Sequence, residues 1–211
     1  MPVLLTFGDS NTHGTPPIVE RGAYFRFGAD IRWPQVCARA LGPEWELAEE
    51  GLPGRTAQFP DLVMGAHMNG QDGLKIALQS HGPIDVLTVM LGTNDVKARF
   101  SATPEAVTAG IAGLVDYALS LEMQARHGGF KVLLISPPPV EEVGPIAGEF
   151  LGAAARSRGL AARYTALAAA RGIGFLDAGK VISVSSQDGI HFEPAAHKTL
   201  GLAVAEAVRA L

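Results

Sequence analysis

Val3-Leu4-Leu5-Thr6-Phe7, running straight into Gly8-Asp9-Ser10-Asn11-Thr12-His13-Gly14, is the stretch from which the rest of the chain can be read. Five consecutive apolar or β-branched residues predict a buried strand, which ends abruptly at a glycine, an acid and a serine. In an open α/β sheet the carboxyl ends of the strands face the ligand crevice. Ser10 therefore stands where a nucleophile stands, and the later sequence can be searched for a base and an oxyanion hole. Taken alone, the stretch leaves three readings open. It is a strand-to-helix nucleophile turn, or an anion cradle in which Ser10, Asn11, Thr12, Gly14 and Thr15 offer hydroxyls and N–H groups, or an ordinary turn capped by Ser10 or Asn11. Asp9 speaks against phosphate, because a carboxylate repels a dianion. Neither Gly-x-Gly-x-x-Gly nor Gly-Lys-Ser/Thr occurs in the stretch.

A chain of 211 residues, 47% hydrophobic and 18% charged, fits one domain with a full-sized core. Its net charge of −4 supplies no basic surplus for nucleic acid. The single cysteine, Cys37, excludes an internal disulfide and suits a reducing compartment. Its neighbours Val36 and Ala38 read as the packed face of a helix. With a strand beginning at Val3 there is no room for a signal peptide, and no apolar run is long enough to span a bilayer. The expectation is a cytoplasmic protein without a nucleic-acid or membrane partner.

Further along, strands alternate with helices. Residues 14–32, rich in Gly, Pro and charge, read as a surface loop, and a helix is predicted from Trp33-Pro34 to Leu41. Trp45 to Ala48 reads as a second strand, followed by the glycine-punctuated loop Glu50-Gly51-Leu52-Pro53-Gly54-Arg55-Thr56. Residues 57–71 carry no clear pattern, and a short helix is predicted over Asp72–Ser80. Asp85 to Leu91 is apolar enough for a central parallel strand and ends at Gly92-Thr93-Asn94-Asp95. Thr103-Pro104 opens a long helix whose apolar positions continue to Leu121. Lys131 to Ile135 is a fourth strand, followed by an irregular stretch from Pro137 to Phe150. Then come an alanine-rich helix to about Ala170, broken near Gly159, and a fifth strand from Ile173 to Leu176. Asp188-Gly189-Ile190-His191 precedes a last helix opened by Pro194. This order predicts a three-layer α/β/α, flavodoxin-like fold with a five-stranded parallel sheet, as one domain over residues 1–211.

A serine hydroxyl is a poor nucleophile until a base takes its proton, and the base needs an acceptor on its other nitrogen. Asp188 and His191, three residues apart, can present carboxylate to Nδ1–H and leave Nε2 free for Ser10. A surface turn before a helix is the plainer account of that tetrapeptide. An oxyanion hole needs donors from elsewhere. Ser10 can give its N–H, Gly54 an unobstructed N–H and Asn94 a side-chain amide, although the last two also suit ordinary turns. Their joint placement just past strands of one sheet favours a single site.

Gly8-Asp9-Ser10, Gly54, Gly92-Thr93-Asn94-Asp95 and Asp188-Gly189-Ile190-His191 resemble, in order and spacing, the four blocks of the SGNH (GDSL-type) hydrolases. That resemblance implies ester hydrolysis through Ser10, His191 and Asp188, with Ser10, Gly54 and Asn94 at the oxyanion and no cofactor. Asp9, Thr93 and Phe150 are the further residues assigned to substrate, although Asp9, like Asp95, also reads as a loop-fixing acceptor. Finer matches, among them Arg32-Trp33, Glu49-Glu50-Gly51-Leu52 and Ser136-Pro137-Pro138, resemble the bacterial arylesterase/acyltransferase branch. That branch implies short acetyl or aryl ester substrates, a homo-oligomer, and acyl transfer to alcohols or peroxide. Asn11 departs from the leucine usual in the first block.

Two rival readings remain open. One makes Asp9, Asp95, Asp188 and His191 ligands of a metal that activates water on a phosphoester. The other is a non-catalytic flavin- or sugar-binding module on the same fold. His13, near Ser10, is a candidate substrate contact or a loop residue facing water. His67, His81, His127 and His197 lack ligand spacing, so no metal is assigned. Arg55 and Thr56 read as residues that hold the second loop.

Overall fold

A computed structural model describes all 211 residues. Five strands, β1 (Val3–Gly8), β2 (Glu46–Gly51), β3 (Val86–Met90), β4 (Lys131–Ser136) and β5 (Gly174–Asp177), form one parallel sheet ordered β2-β1-β3-β4-β5. The helices are α1 (Ser10–His13), α2 (Trp33–Leu41), α3 (Gly70–Ser80), α4 (Pro104–Ala118), α5 (Leu121–His127), α6 (Ala153–Arg158), α7 (Leu160–Arg171) and α8 (Pro194–Arg209).

The period of two along each strand divides the interior into two cores. Leu5 and Phe7 of β1 pack with Leu87, Val89 and Leu134 against Leu74 of α3, Ile111 and Leu114 of α4 and Tyr164 of α7. Leu4, Met90, Leu133 and Ile135 face the other way, onto Trp33 and Cys37 of α2 and Leu200, Val204 and Val208 of α8. Truncating one such leucine to alanine costs about 2–5 kcal/mol, so both layers contribute to stability.

The chain runs from β1 outward to β2, then crosses back to β3 on the other side of β1. Loops after β1 and β3 therefore diverge and leave a crevice between them, which is the switch point where open α/β sheets bind ligands.

Three elements differ from the sequence reading. The helix opened by Thr103 ends at Ala118, short of Leu121, and a separate α5 follows. Ser120 explains the break: its hydroxyl accepts from the Met123 N–H and starts a new helix, which turns Leu121 out to solvent. Strand β2 continues through Glu49 and Glu50 to Gly51. These acids are tolerated because β2 is an edge strand, with Glu49 held by Arg32 and Gln35 and Glu50 by His81. Of residues 57–71, those up to Asn69 form a looped arm with a parallel bridge from Thr56 to Asn69 and one 3-10 turn, Ala66–Met68, and the last two already belong to α3. No single helix is long and apolar enough to cross a membrane; α4 and α5, bent by 51°, reach that length and composition only as a pair.

Candidate active site

The turn before α8 is built around one carboxylate. Gly189 adopts φ +71°, and this left-handed step folds the following N–H groups back toward Asp188. Asp188 Oδ1 accepts from Ile190 N and His191 N, each at 3.0 Å. Its Oδ2 accepts from His191 Nδ1 at 2.6 Å and from Ile18 N at 2.7 Å. Burial opposes the charge, but the imidazole and the backbone donors outweigh it and hold the Asp188 pKa below the ordinary carboxylate value. With Nδ1 committed to Asp188, His191 Nε2 lies 3.1 Å from Ser10 Oγ.

Ser10 is the first residue of the one-turn helix α1 after β1, so its N–H has no acceptor within that helix. Asp9 is the cap: its Oδ1 accepts from Asn11 N at 2.9 Å. The Asn11 side chain, where the family pattern has leucine, points inward and donates to Ile190 O at 3.1 Å. It thereby ties the serine turn directly to the histidine turn. Its Oδ1 is buried without a partner.

Gly54 sits in the loop after β2 with φ +92°, and its N–H makes no hydrogen bond within the chain. A side chain there would collide with Met64, whose Cε lies 2.5 Å from where a Cβ would stand. The loop is anchored by Arg55, which reaches Gly8 O and Glu50 O and stacks on the Phe7 ring at 4.1 Å. Asn94, after β3, donates through Nδ2 to Arg55 O at 3.1 Å and to Asp9 Oδ2 at 3.4 Å. Thus the loops after β1, β2 and β3 meet at one point.

Ser10, Gly54, Asn94 and His191 line a cavity of about 210 Å³ together with Ile18, Tyr24, Met64, Lys97, Ile146, Glu149, Phe150 and Ile190. Of the three residues assigned to substrate contact, only Phe150 lines it. Asp9 and Thr93 are buried behind the lining, and Asp9 spends its oxygens on Asn11 and Asn94. Burial pushes the Asp9 pKa up to about 6 against the pull of the Asn11 N–H, His191, Lys97 and Arg55. Asp95, which accepts from Ala57 N through both oxygens, is pushed by burial up to about 7. His13 does not line the cavity; its ring meets Thr15 and Tyr24 hydroxyls.

Sequence reasoning missed the contributions of residues 14–32 and 57–71. The first, read as a surface loop, brings Ile18 and Tyr24 over the cleft, and the second brings Met64. Neither has a periodicity that could signal this. Lys97 was more accessible to inference, standing three residues after Asn94 in the same loop. Asp9, Asp95, Asp188 and His191 do not form a metal-ligand cluster, since no group of three or more His, Cys, Asp or Glu side chains converges on one point.

A parallel sheet with hydroxyl, imidazole and carboxylate joined across its C-terminal edge places the protein in the class of three-layer α/β hydrolases. The chain belongs to the GDSL-like lipase/acylhydrolase family, whose sequence model matches residues 6–199. It is accordingly a carboxylic ester hydrolase of SGNH type. Among solved structures it is similar to an aryl esterase of M. smegmatis, with 38% identity, a TM-score of 0.93 and 100% of both chains covered. It is also similar to Est24, a carbohydrate acetylesterase from Sinorhizobium meliloti, with 36% identity, a TM-score of 0.92 and coverage of 100% of this chain and 99% of that one. A further carbohydrate acetylesterase family member from Sinorhizobium meliloti shares 32% identity over 100% of this chain and 98% of its own, with a TM-score of 0.87. No curated protein sequence matches the chain.

Proposed function

We propose that the protein hydrolyses short-chain acyl esters through an acyl-enzyme on Ser10. The carrying observation is the unbroken chain Ser10 Oγ–His191 Nε2 at 3.1 Å and His191 Nδ1–Asp188 Oδ2 at 2.6 Å, at the floor of the cavity. Ser10 Oγ attacks the carbonyl carbon while His191 Nε2 takes its proton, and Asp188 steadies the imidazolium that forms. The oxyanion of the tetrahedral intermediate is met by the N–H groups of Ser10 and Gly54 and by Asn94 Nδ2. The long 3.4 Å bond from Asn94 to Asp9 is the weaker of its two and is the one exchanged for the oxyanion. His191 returns the proton to the departing alkoxide. Water then attacks the acyl-serine by the same route in reverse, releasing the acid.

Acyl size is limited by the space that the two halves of the ester share. Ile146 and Phe150 come from the irregular stretch after β4, and they wall a cavity of about 210 Å³ that has to take both the acyl and the alcohol part, which favours short acyl chains. The apolar lining of Ile18, Phe150 and Ile190 also favours an alcohol with an apolar part over water, which turns hydrolysis into acyl transfer. The family neighbours named as aryl esterase and carbohydrate acetylesterase support aryl and sugar acetates as the first substrates to assay. Tyr24 of the cavity lining is exposed, as are Phe25 next to it and Leu62 and Val63 just before the lining residue Met64, in support of a homo-oligomer, for which light scattering of the purified chain is the test.

The deciding experiment combines an organophosphonate label with a panel of aryl esters from acetyl to octanoyl. The expected result is a single adduct on Ser10 and a preference for acetyl and propionyl esters. An enzyme that stays unlabelled and fully active, or one that prefers octanoyl esters, overturns the mechanism or the size argument respectively.

A further inference from the structure

Lys97 has no role in the mechanism above, yet its side chain is 6% exposed and lines the cavity with Ser10 and His191. A buried ammonium carries three donors and a desolvation cost, so it ordinarily finds close oxygen acceptors. This one does not. Its nearest polar neighbours are Met64 Sδ at 3.7 Å and Glu149 Oε2 at 3.7 Å, while its ammonium lies 5.6 Å from the Phe150 ring centroid. The distance to Glu149 exceeds the 2.7–3.2 Å span of an N–H···O bond, and the Met64 thioether, although within reach of a hydrogen bond to sulfur, is a weak acceptor for a charged donor.

Glu149 is not free to close that gap. It is held more tightly by Arg99 NH1 at 3.1 Å and Arg21 NH2 at 3.3 Å. Asp61 is taken by Arg99 in turn, at 2.6 Å. Three cations, Arg21, Lys97 and Arg99, thus share two carboxylates, and the cation left short of a partner is the one inside the cleft. Burial lowers the Lys97 pKa, with Arg99 adding to the effect and Glu149 opposing it. The position is defined as well: Met64, which Nζ touches, is packed on Gly54, and the Lys97 N–H donates to Asn94 O at 3.1 Å. The ammonium and the proposed oxyanion donors Ser10, Gly54 and Asn94 thus line one cavity.

We propose that Lys97 is a specificity residue that pairs with a carboxylate carried by the ester substrate, so that the enzyme favours anionic esters over neutral ones of the same shape. This rests on the esterase reading of the site. A carboxylate reaching Nζ supplies the missing short acceptor and neutralises the surplus charge, at the strength of a charge-assisted hydrogen bond. Attached to the acyl group it marks half-esters of dicarboxylic acids; attached to the alcohol it marks acylated hydroxy acids.

Two pairs of substrates separate these sources. Phenyl hydrogen succinate against phenyl pentanoate places the charge on the acyl side, and 4-acetoxybenzoate against 4-methylphenyl acetate places it on the leaving group. The readout is the anionic-to-neutral ratio of kcat/KM, compared between wild type and Lys97→Met, so that intrinsic reactivity cancels. In one of the two pairs the ratio is expected to fall about 10–100-fold in Lys97→Met, and Lys97→Arg is expected to retain most of it. A ratio unchanged in both pairs overturns the proposal. Should Lys97→Met fail to fold by thermal melting, Lys97→Gln carries the same comparison. Wild-type enzyme inert toward all four esters would instead overturn the esterase reading itself.

Discussion

The backbone N–H of Ile18 donates to Asp188 Oδ2 at 2.7 Å, the same oxygen that receives His191 Nδ1. A loop distant in sequence thus completes the carboxylate's shell and fixes the direction in which it faces the imidazole. Ile18→Pro deletes that donor and leaves Asp188 and His191 in place. Since Pro16 and Pro17 precede it, the backbone there is already restricted to extended conformations. Loss of one charge-assisted hydrogen bond predicts a kcat about 10–100-fold below that of Ile18→Ala, which loses the same cavity-lining side chain but keeps the N–H. A folded Ile18→Pro enzyme with full kcat would mean that the His191 and turn contacts orient Asp188 unaided.

Ser10→Ala and His191→Ala are each expected to remove nearly all activity, and the double variant to cost little more, because nucleophile and base act as one unit. Asp188→Ala is expected to be milder, since it orients the base without carrying the proton. Steady-state kinetics on phenyl acetate measure all four proteins, and additive losses in Ser10/His191 would refute the assignment.

Asn94→Ala tests the oxyanion hole separately from the triad. A donor that tightens only in the transition state lowers kcat by about 10²–10³-fold on removal and leaves KM nearly unchanged. Asn94 also bridges Arg55 O and Asp9, so thermal melting must accompany the kinetics. Near-normal kcat in a well-folded variant shows that Ser10 and Gly54 suffice.

Buried Asp95 predicts a pH dependence of stability. Its folded pKa of about 7 lies above its ordinary value of 3.8, so the folded state binds the proton more tightly than the unfolded state. Stability from this group is complete below about pH 4 and is lost as pH rises toward about 7. Asp95→Asn removes the titration. The stability of the variant relative to wild type, measured by urea unfolding, should therefore rise across that window by up to about 4 kcal/mol, since each pH unit separating the folded and unfolded pKa is worth about 1.4 kcal/mol. A constant difference from pH 4 to 8 contradicts the burial argument.

Local signals carried a large share of the architecture. Strand β1 was legible because five buried residues end at Gly8, and α4 and α8 because Pro104 and Pro194 stand at their first positions. The Asp188–His191 pair was legible because a three-residue separation confines both side chains to one turn. Ser10, Gly54 and Asn94 were identifiable once each was seen to follow a strand of one parallel sheet, whose carboxyl ends share a side. What the sequence could not convey depends on loops that have no period and find their places only by packing on one another. Ile18 reaches Asp188 across 170 positions, and Asn11 reaches Ile190 across 179. Asp9 looked like a substrate contact until burial behind Asn94 withdrew it. Lys97 could be seen to follow Asn94, but only the folded chain shows Glu149 drawn away by Arg21 and Arg99. Sequence determines which side chains are available and on which side of a strand or helix they start. Partners, and therefore charge states and free donors, are settled where distant segments meet, because hydrogen bonds and desolvation act over a few ångströms regardless of separation along the chain.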